Sequence, residues 1–402
     1  MDIFPNPFRP GAGQLPPHLA GRQDQLTYFD TNTLSQNPIL TNLIITGLRG
    51  VGKTVLLDSI RPVAINKGWI WAGSDLSESA SVSERNLSTR ILADLAVASS
   101  HLIVREEEEK QIGFNVQPAK NPVYLNYNLI SQIYSDTPGL EADKLKATIG
   151  FIWANVKDKA KGIILAYDEA QNLTDQAEDR QYPLSVLLEV VQYVQRKQIS
   201  IILILTGLPT LFPNLVATRT YAERMFHQMT LKKLSPEESK EAIVIPIKKD
   251  NCPVSLSEKF IGEIIETSGG YPYFIQYICK EIYDSFLQQL SVNNHSPRIS
   301  LDDIVRKLDT DFYQGRWDRV TDRQKDLLII ISNLGNAEDE FTLKEIEEES
   351  NKTATPFKRS PINLMLKSLS ESGLIYKNRH GKYSFAVPMF SYFIKREMET
   401  EL

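Results

Sequence analysis

One stretch constrains this chain more than any other: Thr41-Asn42-Leu43-Ile44-Ile45-Thr46-Gly47-Leu48-Arg49-Gly50-Val51-Gly52-Lys53-Thr54. Leu43–Thr46 has the unbroken hydrophobicity of a buried strand. Val55, Leu56, Leu57 and Ile60 then continue as a helix. The Gly-x-x-x-x-Gly-Lys-Thr turn between them predicts a strand–loop–helix unit, the P-loop, whose residue types suit a triphosphate. Gly47, Gly50 and Gly52 let the backbone curl so that successive amides, Val51 and Val55 included, form a nest for phosphate oxygens. The helix adds the positive end of its dipole. Lys53 brings a mobile cation for the β and γ phosphates, and the Thr54 hydroxyl can ligate Mg²⁺. A chance glycine-rich turn is the alternative; the complete pattern in its strand–helix setting argues against it.

A chain of 402 residues suits two or three domains. Its net charge of -5 gives no global attraction to nucleic acid or anionic membrane, so any DNA contact must come from a local patch. Cys252 and Cys279 cannot make a disulfide framework, and neither they nor the five histidines form a metal-ligand cluster. The amino terminus lacks the pattern of a secretory signal, and no apolar run is long enough to span a bilayer. Reducing cytoplasm is the expected setting, with no membrane partner.

Residues 1–20 are rich in Pro and Gly and are expected to run as an extended arm over the core. Across 21–232, apolar segments at Leu43–Thr46, Gly68–Ala72, Gly162–Tyr167, Ile199–Leu205 and Phe226–Leu231 alternate with helical stretches such as Asn86–Ala98 and Leu184–Arg196. That alternation predicts an α/β, doubly wound parallel sheet with its ligand at the carboxyl ends of the strands. Residues 102–140 break the pattern. Leu102–Val104 and Gln111–Val116 flank the charged run Arg105–Lys110, read as a solvated loop in a hairpin-like insertion, and a short helix follows. Strands stop in 233–317, where Ser235-Pro236-Glu237-Glu238 opens an all-α lid. Thr321-Asp322-Arg323-Gln324 starts the last segment, 318–402. Three helices and a strand pair, Leu374–Asn378 and Tyr383–Val387, describe a winged helix.

A P-loop needs a partner carboxylate for its metal. Ile163-Ile164-Leu165-Ala166-Tyr167-Asp168-Glu169 ends a buried strand on two acids. Asp168 can hold Mg²⁺, and Glu169 can orient and deprotonate the attacking water. The second acid favours hydrolysis over binding alone. Thr206, ending the strand Leu203-Ile204-Leu205-Thr206, would lie beside the γ-phosphate and help position water, although a threonine there also serves packing.

This order of P-loop, Asp-Glu strand, polar strand end, helical lid and winged helix resembles an AAA+ ATPase of the clade shared by origin-recognition initiators and STAND signalling ATPases. Nearly the whole chain is similar to a group of stand-alone bacterial ATPases. These open with a Pro-Phe-x-Pro-Gly-Ala-Gly arm (here Pro7–Gly13) and close with Val-Pro-Met/Leu-Phe (here Val387–Phe390). The resemblance implies that Gly21 and Arg22 lie against adenine and that Pro272, in Gly269-Gly270-Tyr271-Pro272, packs near the nucleotide. Gly-Gly-x-Pro is equally a plain helix stop and restart. It also implies an arginine inserted into a neighbour's site in a homo-oligomer. Arg224 is the best match and Arg219 the second, against a solvated or ion-paired arginine. The lid arginine of initiators has no counterpart here, which points to a slow, switch-like ATPase that retains ATP or ADP.

Ser360-Pro361 is expected to cap a helix with Ile362, Met365, Leu366 and Leu369 on its apolar face. Lys358, Arg359, Asn363 and Lys367, with Lys377, Arg379, His380 and Lys382 of the wing, would be the contacts to duplex DNA. Residues 351–402 carry a net charge of +5, but including Thr342–Ser350 lowers it to +2. Docking to a protein partner or within the chain is therefore an open alternative.

Overall fold

The computed structural model describes residues 5–11, 13–34, 41–109, 119–176, 178–248, 252–291, 299–379 and 381–400. Ala12, His380 and the expected strand Gln111–Val116 lie outside the described residues. The chain divides into two compact units. One comprises Gln23–Thr46 and Leu56–Thr230; the other comprises Met1–Arg22, Gly47–Val55 and Leu231–Leu402.

The first unit is built on strands β1 (Asn42–Thr46), β2 (Trp69–Ala72), β5 (Gly162–Tyr167), β6 (Ile201–Gly207) and β7 (Phe226–Thr230). They form one sheet in the order β2-β5-β6-β1-β7, with every neighbouring pair parallel. β1, β5 and β6 are buried at every residue, which is why these segments read as continuous apolar runs. Helices Glu84–Ser99, Glu141–Val156 and Pro183–Arg196 contribute apolar stripes to the same core. Asn42 sets the start of β1. Its side-chain oxygen accepts from Leu203 N at 2.8 Å and Gln195 Nε2 at 2.9 Å, and its amide donates to Met225 O at 3.2 Å.

The insertion is a hairpin, but with different strands from those expected. β3 (Ile103–Glu109) absorbs most of the charged run and pairs antiparallel with β4 (Ala119–Tyr124). Among the described residues this ribbon joins no other strand, so no buried sheet face imposes apolar alternation on it. The short helix that follows is Tyr127–Asp136.

In the second unit the arm lies on the helix Pro272–Ser291. Asn6 donates to Lys280 O (2.9 Å) and Asp284 Oδ1 (2.7 Å), Arg9 N donates to Gln276 Oε1 (3.1 Å), and Phe8 is buried edge-on to Tyr283. Helix Pro236–Ile247 opens with the expected capping box, Ser235 and Glu238 bonding each other's amides at 3.2 and 2.8 Å. Helix Glu258–Ser268 stops at left-handed Gly269, and the next helix restarts at Pro272.

After Leu301–Leu308 and Gly315–Trp317 come helix Asp322–Ser332, strand β8 (Phe341–Thr342), helices Leu343–Ser350 and Arg359–Glu371, strands β9 (Ile375–Arg379) and β10 (Lys382–Phe385), and helix Phe390–Thr400. β8-β10-β9 form a small antiparallel sheet. Ser360 is not the cap of its helix. The helix begins at Arg359 after Lys358, because Pro361 can occupy a first-turn position whose missing N–H would have no partner anyway. β8 and the last helix were not foreseen. The last helix is fastened by Tyr313, stacked on Phe393 at 5.1 Å with its hydroxyl donating to Pro388 O at 3.0 Å. Arg396 adds a two-pronged contact to Asp309 at 2.8 and 2.5 Å.

Candidate functional site: phosphate loop and paired carboxylates

The loop Gly47–Thr54 departs from β1 and ends in the first turn of helix Lys53–Asn66. Gly50 and Gly52 have φ of 77° and 90°, the left-handed conformation that turns amides towards the inside of a loop. Gly47 answers a steric need: a Cβ there would stand 2.7 Å from Leu231 O and 2.8 Å from Val51 Cγ2. Lys53 Nζ donates to Gly47 O and Leu48 O, both at 3.0 Å, so its ammonium lies over the loop's own carbonyls. These features suit a nucleotide's phosphates: a cradle free of side chains at Gly52, inward amides and a cation.

Arg22 is buried and secures this loop. Its guanidinium donates to Gly21 O (2.8 Å), Val51 O (2.9 Å) and Lys232 O (2.9 Å), tying the loop to the chain that follows β7. Burial pushes its ionisation down, and the Glu238 carboxylate partly offsets this. The expectation from resemblance was a contact with adenine. The bonds in this structure all go to backbone carbonyls. Pro272 is the first residue of its helix, and the neighbouring Tyr273 is what reaches the loop, its amide donating to Gly50 O at 3.2 Å.

In the other unit, β5 delivers Asp168 and Glu169. Asp168 is 3% exposed and sits beside fully buried Thr206, whose hydroxyl donates to its carboxylate. Glu169 N also donates to Asp168 Oδ1 at 2.8 Å. Glu169 is exposed, with φ 51° and ψ 33°, a conformation costly for a non-glycine residue and frequent at functional sites. Gln171, which the sequence reading passed over, donates to the Glu169 carboxylate and accepts from Leu208 N at 3.1 Å, bridging the ends of β5 and β6. Asp58 and Asp75 were also missed. Burial, then Asp168 and Glu169, raise Asp75. Burial raises Asp58, with Asp168 and Asp75 adding to it against Arg61. The concentrated negative charge has the sign a divalent cation neutralises, which suits Asp168 as a Mg²⁺ ligand. Among the described residues no group of three or more His, Cys, Asp or Glu side chains is arranged to hold a metal ion, so Asp168 would need Thr54, water and phosphate oxygens to complete the shell.

Arg224 is exposed in the turn before β7. Arg219 is half-buried with its Nε unbonded and lies close to Tyr221. Lys358, at the cap, and Arg359, Asn363 and Lys367, on the helix, are all exposed, Lys367 standing 3.9 Å from Glu371. Lys377 is exposed on β9, and Lys382 is half-buried on β10, where its charge adds a little to the Thr342 hydroxyl bond that chiefly holds Glu345 low. Arg379 ends β9.

Residues 310–394 match a family described as a domain of unknown function, DUF8462. No curated protein matches the chain in sequence. Solved structures do match in fold. The Walker-type ATPase paby2304 of Pyrococcus abyssi aligns over 98% of this chain and 99% of its own at TM-score 0.56 and 15% identity. The ORC2 protein of Aeropyrum pernix aligns as its ADPNP–ADP complexes at TM-score 0.54 and 14% identity, over 98% of this chain and 97% of that one. Its ADP form aligns at 0.55 and 16%, over 97% of both. The parallel five-stranded sheet with its phosphate loop is thus the AAA+ fold, of the type seen in origin-recognition proteins. No helix among the described residues is long and apolar enough to cross a membrane.

Proposed function

We propose that this chain binds and hydrolyses Mg²⁺-ATP and acts as a slow nucleotide-dependent switch, its output being the C-terminal module 318–402, read as a winged helix. Two observations support the reading: the left-handed Gly50/Gly52 loop bearing Lys53 in one unit, and in the other the two acids at the end of β5. β1, β5 and β6 run parallel, so they finish at one edge, and the chain leaves β1 directly into Gly47. Loop amides and Lys53 bind and orient the phosphates. Mg²⁺, held by Thr54 and Asp168, would neutralise charge on the phosphate oxygens. Thr206 fixes the Asp168 carboxylate, and Glu169, held by Gln171, takes a proton from the attacking water. The nucleotides bound by the Aeropyrum ORC2 protein support ATP and ADP as ligands. Lys53→Ala should abolish nucleotide binding, whereas Glu169→Gln should bind ATP and lose turnover. Equal hydrolysis by wild type and Glu169→Gln would sink the assignment of the base.

A second reading, an ATP-licensed DNA-binding regulator, is favoured by the exposed row Lys358, Arg359, Asn363 and Lys367. Fluorescence anisotropy with duplex DNA at several salt concentrations tests it, and binding with no salt dependence when ATP is present would argue against phosphate contacts. Arg224 acting in trans would require an ATP-induced oligomer, visible by mass measurement with and without nucleotide.

A further inference from the structure

Glu169 holds a left-handed backbone conformation, and such a residue persists only where its surroundings over-determine it. The strip of chain that follows β2 does so, and it belongs to the same unit as β5. Gly73 has φ 142°, and a Cβ there would stand 1.8 Å from Ala166 O, so the strip is pressed against β5. Asp75 then pairs with Asp168 as a parallel bridge. Asp168 N donates to Ser74 O at 3.2 Å, and Leu76 N donates to Asp168 O at 3.0 Å. Beyond Glu169, the Asn172 side-chain amide donates to Leu76 O at 2.9 Å. The turn that carries Glu169 is therefore held on both sides by Ser74–Leu76.

The strip is fixed in its turn from helix Glu84–Ser99. Arg90 Nε donates to Ser74 Oγ at 2.7 Å and to Asp94 Oδ2 at 3.2 Å. Ser74 Oγ donates to the two Asp94 oxygens at 3.3 and 3.2 Å. Asp94 is buried and Arg90 half-exposed. Burial raises the Asp94 carboxyl against the opposing charge of Arg90. An arginine–aspartate pair one helical turn apart on an open surface contributes little. Here the pair closes around one hydroxyl, and a buried carboxylate is a poor choice for stability alone.

We propose that Ser74, Arg90 and Asp94 are positioning residues for ATP hydrolysis: together they lock the Ser74–Leu76 strip, and the strip holds Glu169 in the turn from which it serves the attacking water. None of the three touches the reacting atoms. This rests on the hydrolysis reading above. Gln171 holds the Glu169 carboxylate from the end of β6, whereas the strip controls the main chain that carries it. The phosphate-loop residues Gly47–Val55 belong to the other unit, so loosening the strip changes turnover and spares nucleotide affinity.

Steady-state ATP hydrolysis and fluorescent-nucleotide titration of wild type, Ser74→Ala, Ser74→Thr and Arg90→Ala test the proposal, with thermal melts to establish folding. Ser74→Ala should lower kcat by about tenfold or more, since a catalytic group displaced by about 1 Å can lose a hundredfold, while KM and nucleotide affinity stay within about twofold. Ser74→Thr keeps the hydroxyl and should recover kcat to within about threefold of wild type. Arg90→Ala should fall between, and at a half-exposed side chain it keeps the proposal falsifiable if Ser74→Ala does not fold. An unchanged kcat in the folded Ser74→Ala and Arg90→Ala variants overturns the positioning role and leaves ATP binding and hydrolysis standing. Parallel losses of kcat and nucleotide affinity do the same, as does a folded Ser74→Thr no faster than Ser74→Ala. Wild type without hydrolysis overturns both readings.

Discussion

Arg22 offers the sharpest quantitative test of how the phosphate loop is held. Its bond to Gly21 O is made to the preceding residue, but those to Val51 O and Lys232 O join separate segments, each at 2.9 Å. Charge-assisted bonds of this kind contribute roughly 1.5–3 kcal/mol each, so two are worth about 3–6 kcal/mol before any offset. Truncation also recovers the desolvation of a guanidinium that burial already disfavours. Discounting by about half leaves ~1.5–3 kcal/mol for Arg22→Ala. At ~2–4 °C per kcal/mol for a domain of about 150–250 residues, the melting temperature should fall by about 3–12 °C. Release of Val51 O should also weaken ATP by about tenfold or more, equivalent to ~1.4 kcal/mol. Arg22→Lys keeps the charge without the fork and should lie between. Thermal melts and fluorescent-nucleotide titration on the same samples read both effects. A melting shift below about 2 °C with unchanged affinity would refute the claim that this side chain holds the loop.

Thr206→Val should lower the unfolding free energy by about 1.5–3 kcal/mol, since the buried Asp168 carboxylate loses a hydroxyl donor, and Thr206→Ser should restore most of it. Chemical denaturation measures this, and equal stability of the Val and Ser variants would count against it. His227 on β7 stacks on Tyr28 at 4.2 Å, and burial holds its ionisation below the ordinary value. A base whose folded value is lowered contributes stability that is present at high pH and lost as pH falls through about 6.5. His227→Phe should keep the stack and flatten the stability profile between about pH 7.5 and 5. A slope identical to wild type would contradict the role of His227.

Much of this was legible because the physical signals were local. Ile163–Tyr167 can be a strand buried on both faces and little else. Ser235 and Thr321 announce their helices through capping boxes completed three residues on. The loop's glycines are explained by its own curl. What escaped depended on partners distant in sequence. The bonds of Arg22 to Val51 O and Lys232 O have no signature in the Gly-Arg pair, because both partners lie far along the chain. Gln171 has no pattern of its own, and its role arises where the ends of β5 and β6 meet. The helix Phe390–Thr400 went unread, since its apolar face is defined by Tyr313 and Trp317 far upstream. In β3 the acidic run concealed a strand because a two-stranded ribbon does not need an apolar face.

The grouping of Gly47–Val55 with Leu231–Leu402, and not with the strands and helix on either side, has a consequence for biogenesis. On a ribosome, the loop emerges long before Leu231, Lys232 and Tyr273, the residues that shape and hold it. The sheet unit can complete itself from Gln23 to Thr230 while the loop still lacks these supports. Competence for nucleotide would then arrive late, with the C-terminal half. A fragment ending near residue 230 would be a folded sheet with an unsupported loop, and the C-terminal fragment alone would hold the supports without the loop.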